Sequence, residues 1–235
     1  MSSRHSVPSS ALAAVSSRGG CPSGYLLPPL AVVCVGAVMM FFALGFTTPR
    51  LPVENPPVQS AEIQTSNPLR PLSSVFTPEV QYWAGRIQDW AAAAGLDPNL
   101  VATVMQIESC GDPRARSRAG AMGLFQVMPY HFTDRDDPYA PDTNALRGLD
   151  YLRRSLEAAH GDPRLALAGY NGGIGVIDWP ESGWAAETQR YAYWGSGIYA
   201  EASSGAGESL RLHEWLTTSG VSLCRQAHDR LGINP

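Results

Sequence analysis

Past residue 76 the chain repeatedly sets a helix-starting residue directly before a proline. Thr77-Pro78, Asp97-Pro98 and Asp162-Pro163 each pair a side-chain oxygen, able to accept from free backbone amides, with a residue that fits the first helical position because no N–H is needed there. After Asp97-Pro98, the run Asn99 to Ser109 holds no breaker, and Gly111 with Pro113 ends it. Around the first signal, Val80, Trp83, Ile87, Trp90, Ala91 and Ala94 form a helical stripe stopped by Gly95. A further helix is predicted from Thr143 to Ala159, capped by Asp142, with Ala145, Leu149, Leu152 and Leu156 on its face. Asp162-Pro163 opens another, carrying Leu165 and Leu167 into Tyr170-Asn171. Glu187 to Ala200, Glu208 to Leu216 and Val221 to Leu231 complete the set. No run alternates apolar and polar residues long enough to demand a sheet, and no internal repeat occurs. The predicted class is mainly α.

The chemistry gathers at the end of the second predicted helix. At about 100° per residue, Val101, Val104, Met105 and Glu108 fall on one side, so the acid sits at the end of an apolar stripe. An acid held against apolar groups loses solvation of its anion, its pKa rises, and it suits a general acid near neutral pH. The competing reading is a boundary glutamate that reaches solvent or pairs with Arg114 or Arg116. Ser117, Gly120, Ala121 and Gly123 then crowd small residues into a short span, where backbone can turn sharply or approach a ligand. Gln126 offers a donor and an acceptor for a sugar amide or hydroxyl.

This stretch resembles the lytic transglycosylases, relatives of goose-type lysozyme. That family carries a Glu-Ser pair, a later Ser, and Gly-Ala-x-Gly-Leu-Met-Gln-x-x-Pro. Here stand Glu108-Ser109, Ser117 and Gly120-Ala121-Met122-Gly123-Leu124-Phe125-Gln126-Val127-Met128-Pro129. Ala168-Gly169-Tyr170-Asn171-Gly172-Gly173 is similar to the family's Ala-x-Tyr-Asn-x-Gly, and Glu187-Thr188-Gln189-Arg190-Tyr191 to its Glu-Thr-x-x-Tyr. The chain departs from the pattern at Phe125, where Met is usual, at Gly172, where Ala is usual, and at Cys110, an often aromatic position. The resemblance implies a lysozyme-like catalytic domain acting on peptidoglycan strands, with Glu108 as catalytic acid. It implies substrate contacts or their support from Ser109, Ser117, Met122, Gln126, Tyr170, Asn171 and Tyr191.

Taken on their own, several of these residues have a plainer role. Ser117 suits an ordinary turn, Gln126 can hold a loop, Tyr170 can be a core aromatic with a bonded hydroxyl, and Tyr191 can be one residue of a helical stripe. The count of acids bears on mechanism. Most glycosidases flank the bond with two carboxylates. Glu108 has no second acid of comparable context, since Asp112 before Pro113 is explained by capping. One acid suffices if the 2-acetamido group of N-acetylmuramic acid steadies the developing cation and the sugar's own 6-hydroxyl attacks. The expected product is a 1,6-anhydro end, with no cofactor. A lysozyme-type hydrolase, with water as the attacking group, and an inactive peptidoglycan-binding module are the alternatives.

The rest of the chain suggests how such a domain is delivered. Residues 1–24 are Ser-rich and expected to be disordered. Tyr25 to Phe46 is 22 residues without a charge, enough to cross a bilayer as a helix. Arg4, Arg18 and the amino terminus before it favour an N-terminus in the cytoplasm. The alternative is a cleaved export signal with Ala43-x-Gly45 as its small-residue site. Residues 47–74, with Pro49, Pro52, Pro56, Pro57, Pro68 and Pro71, read as an extended tether to a domain over 75–235. The expected location is therefore membrane-anchored through residues 25–46, with the catalytic domain outside the cytoplasm.

A formal net charge of −4 gives no reason to expect nucleic acid binding. No protein partner is legible. Of the four cysteines, Cys21 precedes the span and Cys34 lies within it, leaving Cys110 and Cys224 in the exported domain. They are expected to pair, with two buried free thiols as the alternative. His5, His131, His160, His213 and His228 show no metal-ligand spacing, and His131 reads as a surface or boundary residue.

Overall fold

The computed structural model describes residues 71–233. The expected tail (1–24), the uncharged span (25–46) with Cys34, and the tether as far as residue 70 lie outside the described residues. Among the described residues, no helix is long and apolar enough to cross a membrane.

The architecture is mainly helical: α1 (Pro78–Gln81), α2 (Ala84–Ala94), α3 (Pro98–Ser109), α4 (Pro141–Ala158), α5 (Pro163–Gly172), α6 (Ala186–Ser203), α7 (Leu210–Trp215) and α8 (Val221–Leu231). Helix α3 lies at the centre, packed against α2, α6, α1 and α8, while α5 packs between α4 and α6. Ten of the twelve α3 residues are buried, so its apolar stripe is one part of a helix enclosed everywhere but at Ile107 and Glu108. Its buried polar side chains are bonded: Thr103 donates to the Asn99 carbonyl at 2.7 Å, and Gln106 accepts from the Thr77 amide at 3.2 Å. Ile87, Leu100, Met105, Leu124, Phe125, Leu152, Leu167 and Ile198 fill the core around it.

Two of the three proline signals act as read. The Asp97 carboxylate accepts from the Asn99 amide at 2.8 Å, and Asp162 accepts from Arg164 and Leu165 at 2.8 and 3.1 Å. Thr77 does not cap α1: its hydroxyl donates to Gln106 Oε1 at 3.2 Å instead, a contact across the fold. The stripe from Val80 to Ala94 is also two helices, not one. The chain breaks at Tyr82-Trp83, where the buried Trp83 indole turns inward and donates to the Gly111 carbonyl at 2.9 Å. Helix α4 begins at Pro141, earlier than expected, so Asp142 lies in its first turn and not at its cap. There it accepts from Trp90 Nε1 at 2.9 Å and pairs with Arg86.

Helix α7 passes into α8 through a π-helical turn, Leu216–Gly220. A Cβ at Gly220 would stand 2.4 Å from the Trp215 ring, so glycine there lets that ring close over the turn. Three contacts fasten α8 to the ends of α1 and α3. Cys110 and Cys224 form a disulfide, His228 Nδ1 lies 3.0 Å from Glu79, and Gln226 donates to Asp112 at 2.7 Å. Asp112 is completely buried and also accepts from the Arg114 amide at 2.8 Å. Its bond to α8 is a tertiary role that helix-end capping did not anticipate.

Candidate active site

Glu108 occupies the last turn of α3, half-buried in the wall of a cavity shared with Asn171, Glu187, Arg190, Tyr191, Trp194, Trp215 and Ser219. Its carboxyl is pushed up to about 8, chiefly by burial, with the Glu187 carboxylate adding to the rise and the Tyr191 hydroxyl opposing it. Arg114 and Arg116, the alternative partners for Glu108, are exposed. The acid therefore keeps its proton at neutral pH.

Tyr191 is buried on α6, and its hydroxyl makes no hydrogen bond of normal geometry. It lies close enough to Glu108 for each group to act on the other's proton affinity. Here it is placed where it can steady a negative charge that forms on Glu108 only during reaction.

A second cavity adjoins the first through Asn171, which lines both. Gln126, Tyr130, His131, Tyr151 and Tyr170 also line it. Tyr170, at the end of α5, donates to the Phe125 carbonyl at 2.7 Å, and its own proton is held more tightly than usual by burial and by Glu108. The Asn171 side-chain oxygen accepts from the Thr188 hydroxyl at 2.9 Å. The α5 and α6 motifs thus meet beside Glu108.

The loop between α3 and α4 supplies the facing wall. Gln126 has φ 45°, a left-handed backbone unusual for a residue with a side chain. Its amide nitrogen donates to Ala115 and Gly123 carbonyls at 3.2 and 2.9 Å, so it both holds the loop and borders the cavity. Ser109 is completely buried; its hydroxyl donates to the Leu124 carbonyl at 2.7 Å and accepts from the Gly111 amide at 3.1 Å. Ser117 is exposed and closes a turn by accepting from the Ala121 amide at 3.0 Å. Met122, half-buried, pairs its backbone with Val127. These three brace the loop and do not line either cavity.

Sequence reasoning passed over the residue that pins this loop. Asn144 on α4 is completely buried; it accepts from the Phe125 amide at 2.8 Å and donates to Met122 and Pro138 carbonyls at 2.8 and 2.9 Å. A polar side chain on the buried side of α4, beside Ala145 and Leu149, was the available signal. Gly123 completes the fit: its φ is 76°, and a Cβ there would lie 2.3 Å from Asn144 Nδ2. Among the described residues, Glu79, Cys110 and Cys224 also gather within 4.8 Å, but both sulfurs are taken up in the disulfide.

These elements coincide with a known domain: residues 85–191 match the family model described as a transglycosylase SLT domain. This stretch of the chain is similar to the SLT transglycosylases. A transglycosylase of Enterobacteria phage PRD1 is 40% identical over 116 residues, covering 46% of this chain and 42% of that one. An endo-type membrane-bound lytic murein transglycosylase A of Klebsiella pneumoniae is 37% identical over 59 residues, 23% of this chain and 29% of its own. The chain thus spans less than half the length of these curated relatives. An inactive variant of the lytic transglycosylase Slt from Pseudomonas aeruginosa aligns with a TM-score of 0.44 and 24% identity, over 53% of this chain and 25% of that one. Within the SLT domain the match runs from the start of α2 to Tyr191 on α6, so Trp194, Trp215 and Ser219 of the Glu108 cavity lie past its end.

Proposed function

We propose that the protein is a peptidoglycan lytic transglycosylase in which Glu108 acts first as acid and then as base. The observation that carries this reading is the Glu108 carboxyl, pushed up to about 8 at the wall of an open groove. Protonated Glu108 donates to the glycosidic oxygen between N-acetylmuramic acid and N-acetylglucosamine, and the bond from that oxygen to the anomeric carbon breaks. The substrate's 2-acetamido group steadies the cationic carbon, so no second carboxylate is needed. The 6-hydroxyl of the same sugar then attacks, its proton passes to the Glu108 carboxylate, and a 1,6-anhydro end is released with the acid restored.

Tyr191 stabilises the carboxylate between the two proton transfers. Gln126, Tyr170 and Asn171 border the groove at positions suited to hydroxyl and acetamido groups, while Ser109, Ser117 and Met122 set the loop that carries Gln126. No cofactor enters the scheme. The uncharged span at 25–46 anchors the chain in a membrane with residues 75–235 outside the cytoplasm. The Klebsiella relative is named as a membrane-bound enzyme, which is consistent with that placement.

The decisive experiment is mass spectrometry of muropeptides released from sacculi by the full chain. Anhydro ends are expected. Ends heavier by one water would assign a hydrolase, and binding without release would assign a binding module.

A further inference from the structure

The cavity continues beyond Tyr170 with three further aromatic rings that the proposed chemistry does not use. Tyr130 and His131 have ring centroids 4.6 Å apart, His131 and Tyr151 4.8 Å, and Tyr151 and Tyr170 5.7 Å. All four line one cavity, with Gln126 and Asn171 beside them. Tyr130 is 75% exposed, so core packing does not account for its ring. It projects from a single 3₁₀ turn, Pro129–His131, placed directly after the Gln126 loop. Arg154 lies over the Tyr151 ring at 5.3 Å and steadies it from the α4 side. At the inner end, the bond from Tyr170 to Phe125 fixes the row to the wall of the site.

We propose that Tyr130, His131 and Tyr151 form a stacking platform for the sugar rings of an N-acetylated glycan strand, on the side of the groove away from Glu108. The inference rests on the reading of the groove as a glycan cleft and adds the residues that grip the strand outside the bond to be broken. A pyranose presents C–H bonds on its face and hydroxyls at its edge. Flat rings with polar rims match both, and a succession of them follows a linear polymer better than one deep pocket does. Continuity carries the occupant's identity: Asn171 belongs to this cavity and to that of Glu108, so one extended ligand passes along both. His131 suits the role because burial and the neighbouring Arg154 lower its proton affinity, against the opposing pull of Asp150, which favours the neutral, more weakly hydrated ring.

The test uses the full chain carrying Glu108→Gln, titrated with peptide-free N-acetylglucosamine oligomers of increasing length. On that background, Tyr130→Ala and His131→Ala are expected to weaken binding of long oligomers roughly three- to tenfold while leaving the dimer's affinity unchanged. Tyr130→Phe should retain the parent affinity, because stacking and not the hydroxyl is at work. With Glu108 intact, the alanine variants should raise KM on long strands more than they lower kcat. Equal affinity of the parent and both alanine variants for long oligomers overturns the platform. So does an effect confined to strands bearing peptides, or an equal loss in Tyr130→Phe. A platform that binds as expected in a chain releasing no anhydro ends would leave this inference standing and refute the reaction instead.

Discussion

The Tyr170 hydroxyl donates a 2.7 Å hydrogen bond to the main-chain carbonyl of Phe125, 45 residues earlier in the chain. That contact ties α5 to the loop that holds Gln126 in its left-handed conformation. Tyr170→Phe keeps the ring and leaves a carbonyl of a completely buried residue without this donor. The expected cost is about 1–2 kcal/mol in thermal or urea unfolding. Muropeptide release should fall more than that loss of folded protein explains, because the adjoining Gln126 is freed to move. Unchanged stability and activity would show that the bond has no positioning role.

Glu108→Gln separates catalysis from stability. Loss of the proton donor and acceptor should cost about 10⁴-fold in activity. Stability should move the other way, by linkage. The group titrates at 4.5 ordinarily and at about 8 when folded, so across that window the unfolded chain releases the proton while the folded chain keeps it. The Glu108 contribution to the parent's stability therefore falls as pH rises through the window and is constant on either side. Glutamine does not titrate, so its melting-temperature gain should be absent in acid and largest above pH 8. Full muropeptide release by this variant would remove Glu108 from the mechanism.

Tyr191→Phe removes a hydroxyl that lowers the Glu108 proton affinity and has no other partner. The alkaline limb of the parent's pH–activity profile, set by Glu108, should shift to higher pH in the variant, and kcat should drop. Folding stability should change little, since the hydroxyl's one interaction is with Glu108 and bears chiefly on the ionised acid. A limb that does not move would place the hydroxyl outside the acid's influence.

Asn144→Ala strips three hydrogen bonds from the loop between α3 and α4. A loss of about 3 kcal/mol is expected from the unpaired buried groups alone. Circular-dichroism melts measure it. Asn144→Asp should cost at least as much at neutral pH, because it sets a buried carboxylate against the Met122 and Pro138 carbonyls.

Reduction of Cys110–Cys224, or its replacement by two alanines, should lower stability by about 2–4 kcal/mol, because the bridge closes a long loop. The variant should still release muropeptides at low temperature, as the bridge lies behind α3 and outside both cavities. Unfolding midpoints that match with and without reductant would contradict this.

Proline and aspartate pairs, apolar stripes and glycine stops were enough to place most helices, because a helix start is decided within one turn of chain. The same local logic put Glu108 at the end of α3 and, with the loop motif, marked Gln126. It erred where a side chain has two possible partners. Thr77 turned from its own helix to Gln106, and Trp83 broke a continuous stripe by reaching Gly111. Tertiary structure alone decided the acid's environment. Desolvation of Glu108, the unpaired Tyr191 hydroxyl and the proximity of Glu187 arise only when α3 and α6 pack together. It likewise gave Asn144 its three partners and brought Tyr130, His131 and Tyr151 into one row. Caps and periodicity are written in neighbouring residues, whereas burial, proton affinity and contacts between rings depend on which distant surfaces meet.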